Sequence, residues 1–155
     1  MVAMKKSANK ICEQRSPCPI NFAVEVLGDK WSLLIVRDCL LANKSAYSDF
    51  LQSPEGISTN ILADRLKKLE QNGMLEKLPD PLNGKKQNYL LTEKSITLAS
   101  VITDLIIWGA ANDENTGAST AMIKKIKKDQ CAFSKDLQSR YRDYAKEIKK
   151  QSLIS

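Results

Sequence analysis

The sequence predicts a mainly α-helical domain with one small β-hairpin, followed by a C-terminal helical extension. Three observations predict it. Apolar residues recur at three- and four-residue steps through most of the chain, as one-sided helices require. The stretch Met74 to Leu78 alternates apolar and charged residues instead, and after a turn rich in Pro, Asp, Asn and Gly a second short run, Lys85 to Leu91, returns. A last run, Ala121 to Ile148, carries a narrow apolar stripe in a basic background. On this reading the chain divides into a leader (1–17), a main domain (18–112) and a linker with a basic amphipathic helix (113–155).

Within the main domain, Pro19 suits a first helical turn. Ile20, Ala23, Val24 and Leu27 then share one face, and Gly28 stops the helix in the manner of a C-cap. Trp31 to Leu41 is apolar nearly all round, the mark of a buried helix. A short segment, Tyr47 to Leu51, follows candidate caps at Asn43 and Ser45. The turn Ser53-Pro54-Glu55-Gly56 leads to a third pattern, with Ser58 as its cap and Ile57 as half of a hydrophobic staple. Leu62, Leu66 and Leu69 form its buried stripe, and Gly73 ends it. A short helix, a turn and a second helix with a polar, capped start make a helix-turn-helix unit. The hairpin that follows is its wing, with Asn83-Gly84 as the turn signal and Lys85 and Lys86 at the tip.

Thr92 to Ser95 opens another helix, with Leu98, Val101, Ile102, Leu105 and Ile106 on its apolar stripe. Ile107 and Trp108 lie off that stripe and require a second partner, either a symmetry-related subunit or the chain's own first helix. The run 112–120 reads as a linker. The stripe Ile123, Ile126, Phe133, Leu137, Tyr141, Tyr144 and Ile148 suits docking along a helix of the same subunit or of a partner.

Composition narrows the function classes. No apolar run approaches the roughly 20 residues that span a bilayer, and the polar, basic first ten residues lack the apolar core of a secretory signal. A soluble cytoplasmic protein is expected. The 155 residues carry a net charge of +6, but residues 1–116 are neutral, with 14 basic and 14 acidic side chains. The tail holds the excess, 10 against 4, which a solvated helix face explains more readily than a nucleic-acid contact does. Four cysteines stand at spacings that match no common zinc pattern, and there is no histidine. Neither a metal, nor a cofactor, nor an enzyme activity is expected.

The ordered motifs of residues 18–109 resemble the HxlR-type winged-helix regulators, relatives of the MarR group. They are Cys18-Pro19-Ile20, Gly28-Asp29-Lys30-Trp31-Ser32-Leu33-Leu34-Ile35, Arg37-Asp38, Phe50-Leu51 and Gly56-Ile57-Ser58. Leu62, Arg65-Leu66-Lys67-Lys68-Leu69-Glu70, Gly73-Met74-Leu75, Tyr89-x-Leu91-Thr92-Glu93 and Trp108-Gly109 complete them. The resemblance implies a homodimeric bacterial repressor or activator on a promoter inverted repeat, dimerising through its N- and C-terminal helices. This chain departs from the pattern with Ser95 in place of the usual Gly, with lysines rather than arginines in the wing, and with a longer C-terminal helix.

In that frame the helix around 58–72 enters the major groove and the wing around 79–88 touches the backbone or minor groove. Asn60 is placed to pair with adenine, and Ala63 to pack on a thymine methyl. Ser58 and Thr59 meet a phosphate at the helix start, unless Ser58 acts only as the cap. Arg65, Lys67 and Lys68 contact phosphate or guanine, or Arg65 bridges to an acidic neighbour within the domain. Lys85, Lys86 and Gln87 serve the wing. Asp64 is either a cytosine acceptor or a non-contact.

Cys18 matches, residue for residue, a position where some members of the resembled family sense oxidants. A helix start favours the thiolate there; the alternative is a buried, inert thiol near the dimer interface. Cys12 is the candidate resolving thiol, Cys39 belongs to the core, and Cys131 has no assigned role. The competing reading is a winged-helix protein-interaction module without sequence-specific DNA binding, using the tail helix. The sequence identifies no small-molecule effector.

Overall fold

The computed structural model describes residues 15–154; Cys12 and most of the leader lie outside them. The elements are α1 (Pro19–Leu27), α2 (Ser32–Ala42), α3 (Tyr47–Leu51), α4 (Thr59–Gln71), β1 (Leu75–Pro79), β2 (Gln87–Leu91), α5 (Glu93–Ile96), α6 (Ala99–Asn112), α7 (Thr120–Lys128) and α8 (Gln130–Ile154). The strands pair antiparallel, with Leu75 opposite Leu91 and Pro79 opposite Gln87. Ala46 adds an isolated bridge to Asn88.

Local chemistry accounts for the element ends. Asp29 caps α2: its Oδ1 accepts the N–H groups of Trp31 and Ser32, both at 2.9 Å. Gly28 ends α1 with φ −75°, not in the left-handed region expected of a C-cap glycine. Its requirement is close approach, since a Cβ there would sit 2.3 Å from the Val24 carbonyl oxygen. Asn43, expected from its sequence position to cap α3, instead terminates α2 in the left-handed conformation. Ala46 takes the α3 N-cap position, where its N–H donates to Asp49, and Ser45 is buried. Gly73, at φ +67°, closes α4: Met74 N–H donates to Leu69 O and Gly73 N–H to Glu70 O, the paired bonds of a Schellman motif.

Helix α4 buries Leu62, Leu66 and Leu69 as expected. Two other stripes turn out differently. On α1 the buried residues are Val26 and Leu27, while Ile20 and Val24 are 71% and 50% exposed and Ala23 is exposed too. On α6, Ile102 is buried, but Val101, Leu105 and Trp108 form an exposed row. Ile107 packs partly against the core. The single helix expected from residue 92 is broken at Thr97–Leu98 into α5 and α6. Glu93–Asn112 has the length and mean hydropathy, 1.3, of a membrane span, contrary to the sequence expectation. It is broken at Thr97–Leu98, carries the charged Asp104, and buries Ile102 and Thr103 while leaving an apolar outer face exposed.

The tail also forms two helices rather than one. Asp129 separates them and accepts the Ala132 N–H of α8 at 2.8 Å. Helix α8 packs on α6, α2 and β1 of its own chain. Its Phe133, Leu137, Tyr141 and Ala145 belong to the same buried cluster as α2 and α4. The Tyr141 hydroxyl accepts the Leu91 N–H at 2.9 Å. Burial raises the phenols of Tyr141 and Tyr144 above the ordinary tyrosine range, so both stay protonated. Ser95, where the resembled family has Gly, is fully buried and donates its hydroxyl to the Met74 carbonyl, with the Thr92 carbonyl 3.1 Å away.

Candidate nucleic-acid interface

The turn between α3 and α4 is held by a charged cluster beneath it. Asp38, buried on α2, pairs with Arg37 at 2.7 Å and Lys44 at 3.0 Å, and accepts the Ser53 hydroxyl. Arg37 reaches on to Glu55 in the turn. Hydrogen bonding to Glu55 and Asp38 holds the Arg37 guanidinium above its usual pKa. Arg37 in turn lowers the Glu55 carboxyl. These bonds orient α4 relative to α2 without using any of its outward face.

That outward face presents Asn60, Ala63, Asp64 and Lys67, all exposed, with Thr59 at its start. Ser58 occupies the N-cap position, but its hydroxyl makes no capping bond, contrary to the expectation. Its exposed hydroxyl and the first N–H groups of α4 lie where an anion can accept from them. Lys68 is half-buried.

Arg65 is turned inward. Its side chain is 26% exposed and lies 3.5 Å from Asp29 and 3.8 Å from Asp64. Burial alone would raise the Asp29 carboxyl; the Ser32 hydroxyl, the Trp31 and Ser32 amides and Arg65 outweigh it and lower the pKa. Of the two sequence readings of Arg65, the bridge to an acidic neighbour is the arrangement seen. It is a charge contact between α4 and the α1–α2 turn, in which Arg65 Nε makes no hydrogen bond.

The wing differs in detail from expectation. Asn83-Gly84 does not form a two-residue turn; the connection runs from 80 to 86, so Lys85 and Lys86 lie in the loop rather than in the strand. Neither lysine has an ion-pair partner among the described residues, and both are exposed. With Gln87, Tyr89 and the α3 residues Tyr47 and Ser48 they line a groove of about 350 Å³. Tyr47 donates its hydroxyl to the Thr59 carbonyl at 2.7 Å, linking this groove to the first turn of α4. The sequence reasoning missed Tyr47, whose role depends on α3 lying beside the wing. It also missed Ile61, partly exposed on α4, and Leu82 at the wing tip. For Leu82 a signal was present: one large apolar residue in an otherwise polar turn.

The cysteines fall in distinct places. Cys18 is exposed at the α1 N-cap position, not buried as the alternative reading of it expected. Cys39 is buried, and burial pushes its thiol well up. Cys131 is exposed on α8. No group of three or more potential metal ligands occurs among the described residues.

Comparison with known proteins agrees with this geometry. Residues 26–116 match the family model described as HxlR-like helix-turn-helix. The match starts after Cys18 and ends before α7. YodB of Bacillus subtilis, an HTH-type transcriptional regulator, is 34% identical over 92 residues, covering 59% of this chain and 81% of its own. The crystal structure of PA1607, a candidate transcription factor, superposes with TM-score 0.61 at 32% identity, over 68% of this chain and 72% of its own. The redox regulator HypR, in its oxidized form, superposes with TM-score 0.56 at 26% identity, over 63% of this chain and 99% of its own. YodB and HypR are described as regulators rather than enzymes, and PA1607 as a candidate one. The chain therefore belongs to the HxlR-like helix-turn-helix family of transcriptional regulators.

Proposed function

We propose that the protein is a homodimeric, cytoplasmic DNA-binding regulator that reads an inverted-repeat operator with α4 and the wing. The observation that carries this reading is the placement of an exposed polar face, Ser58, Thr59, Asn60, Ala63 and Lys67, beside a Lys85–Lys86 tip that has no ion-pair partner among the described residues. A helix of that kind fits the major groove, while the lysines neutralise backbone phosphates. Arg65 acts from within, holding α4 through Asp29, and Lys68 and Gln87 serve at the margin. The homodimer is supported by the exposed apolar side chains of α1 and α6, Ile20, Val24, Val101, Leu105 and Trp108. Trp108, at 68% exposure, is the anchor of that face; Ile107 contributes less, being packed on its own core. A symmetric partner is the economical cover for such surface.

Cys18 is the proposed oxidant sensor. It is exposed at the start of α1, the helix that carries Ile20 and Val24. Its modification would alter the dimer geometry that sets the spacing of the two α4 helices. The likeness to a redox regulator supports this part of the reading.

The test is a fluorescence-anisotropy titration against the intergenic DNA beside the protein's own gene. It is run at two salt concentrations, with and without diamide. Tight, sequence-selective, salt-sensitive binding is expected, changed by diamide in the wild type but not in Cys18→Ser. Weak binding that ignores sequence would replace this reading with a protein-interaction module. Equal diamide responses in wild type and Cys18→Ser would remove the thiol switch alone.

A further inference from the structure

Leu82, at the wing tip, is 96% exposed. A lone surface leucine is ordinary, but this one stands on a backbone held from several directions. Pro81 restricts φ immediately before it. Asp80 Oδ1 accepts the N–H groups of Leu82 and Asn83 at 2.9 and 3.0 Å. The Asp80 N–H donates to the Lys86 carbonyl at 3.0 Å, and the Lys86 N–H to the Asn83 carbonyl at 2.8 Å. Lys85 N–H donates to Asn83 Oδ1 at 3.2 Å. The loop is closed on itself, and its one large apolar side chain points to solvent.

A chain of hydrogen bonds ties this loop to α8. The Tyr144 hydroxyl donates to Ser45 Oγ at 2.9 Å, and Ser45 donates to Asn88 Oδ1 at 3.1 Å. Asn88 Nδ2 in turn points to Asp80 Oδ2 at 3.5 Å. Ser45 and Asn88 are both buried, so their bonds hold a defined geometry. Further along α8, Lys149 pairs with Glu76 of β1 at 2.5 Å, and the Ser152 hydroxyl, shared with the Ile148 carbonyl of its own helix at 3.1 Å, lies 3.3 Å from the Pro79 carbonyl. The helix that lies beyond the family match thus braces the wing along its length.

We propose that Leu82 is an apolar wedge for the minor groove of duplex DNA, presented by a wing that α8 holds rigid. The proposal rests on the regulator reading. Two features on the wing support it. The chain has no arginine between Arg65 and Arg140, so the tip has no guanidinium to insert in a narrow groove. Lys85 and Lys86 stand exposed in the same loop, three and four residues after Leu82, and supply the positive charge that an approach to two phosphate strands requires. An apolar side chain pressed into the minor groove opens a deformable pyrimidine–purine step and bends the duplex. The ligand is therefore B-form DNA with such a step where the wing lands, and the wing reads deformability rather than hydrogen-bonding pattern.

The experiment uses the full chain and the operator fragment that the wild type protects, with 2-aminopurine placed in turn at each step under the wing. The wild type is expected to raise the fluorescence at one step. Leu82→Ala is expected to abolish that rise and weaken binding about tenfold. Its salt dependence and its melting midpoint should stay those of the wild type. Tyr144→Phe is expected to reduce the rise with Leu82 in place. An unchanged affinity and an unchanged rise in Leu82→Ala would overturn the wedge, as would a wild type that raises no step. An unchanged rise in Tyr144→Phe would overturn the bracing role of α8. Failure of the wild type to select any DNA sequence would instead overturn the regulator reading, and the wedge with it.

Discussion

Tyr141→Phe tests whether the C-terminal helix is integral to the winged-helix core. The substitution keeps the ring, which is fully buried, and removes only the oxygen that accepts the Leu91 N–H at 2.9 Å. Leu91 is itself 2% exposed, at the base of the wing opposite Leu75. The deletion therefore leaves a buried backbone donor with no acceptor. An unsatisfied buried donor costs about 1–3 kcal/mol. For a chain of this size each kcal/mol lowers the melting midpoint by roughly 2–4 °C, so about 4–8 °C is expected for a central value. The assay is thermal unfolding followed by circular dichroism, with both proteins at one concentration because dimerisation shifts the midpoint. The m-value in urea should not change, since the same surface is exposed on unfolding. A midpoint within about 1 °C of the wild type would refute the reasoning, showing that Leu91 finds another acceptor and that α8 is not seated on the strand.

Other outcomes follow from the same structure. The Asp29 carboxyl has a lowered folded-state pKa. Its contribution to stability is therefore full above the unfolded value near 3.8 and is lost as pH falls through the lower folded value. Asp29→Asn should flatten the stability profile in that acid window and lower the midpoint at neutral pH, measured by urea titration across pH. Leu105→Asp places a charge in the exposed apolar row of α6 and should yield a folded monomer by sedimentation, with the helical spectrum retained; a dimer of unchanged affinity would remove α6 from the interface. Replacing Lys85 and Lys86 together with alanine should lower the slope of log affinity against log salt by up to about 2, close to one for each phosphate that a lysine no longer neutralises. An unchanged slope would mean that the tip lysines touch no phosphate.

Local chemistry made most elements legible before any coordinates. Helix α4 reads clearly because its stripe, its polar start and the glycine after it agree, and Gly73 does take the left-handed conformation a Schellman motif requires. The helix break at Asp129 was legible in principle, since an aspartate that accepts the N–H of the residue three positions on is a strong N-cap. Periodicity across 121–148 masked it, because the apolar steps continue in phase through the break.

What the sequence by itself determined is the order of the elements, the helix-turn-helix unit with its wing, and the outward polar residues of α4. Each follows from interactions within a few residues along the chain. Tertiary structure alone decided which apolar face each helix buries against its own chain. On α1 it chose Val26 and Leu27 and left Ile20 and Val24 outside; on α6 it chose Ile102 and left Val101, Leu105 and Trp108. A helix apolar on two sides satisfies the same periodicity whichever side faces inward, so the choice depends on neighbours distant in sequence. The same holds for Arg65, drawn inward by Asp29, 36 residues earlier along the chain. It holds as well for α8, whose apolar stripe suits docking on its own subunit or on a partner alike. Its place against the hairpin is set by Tyr141 meeting Leu91 and Tyr144 meeting Ser45, pairings far apart in sequence that only the folded chain brings together.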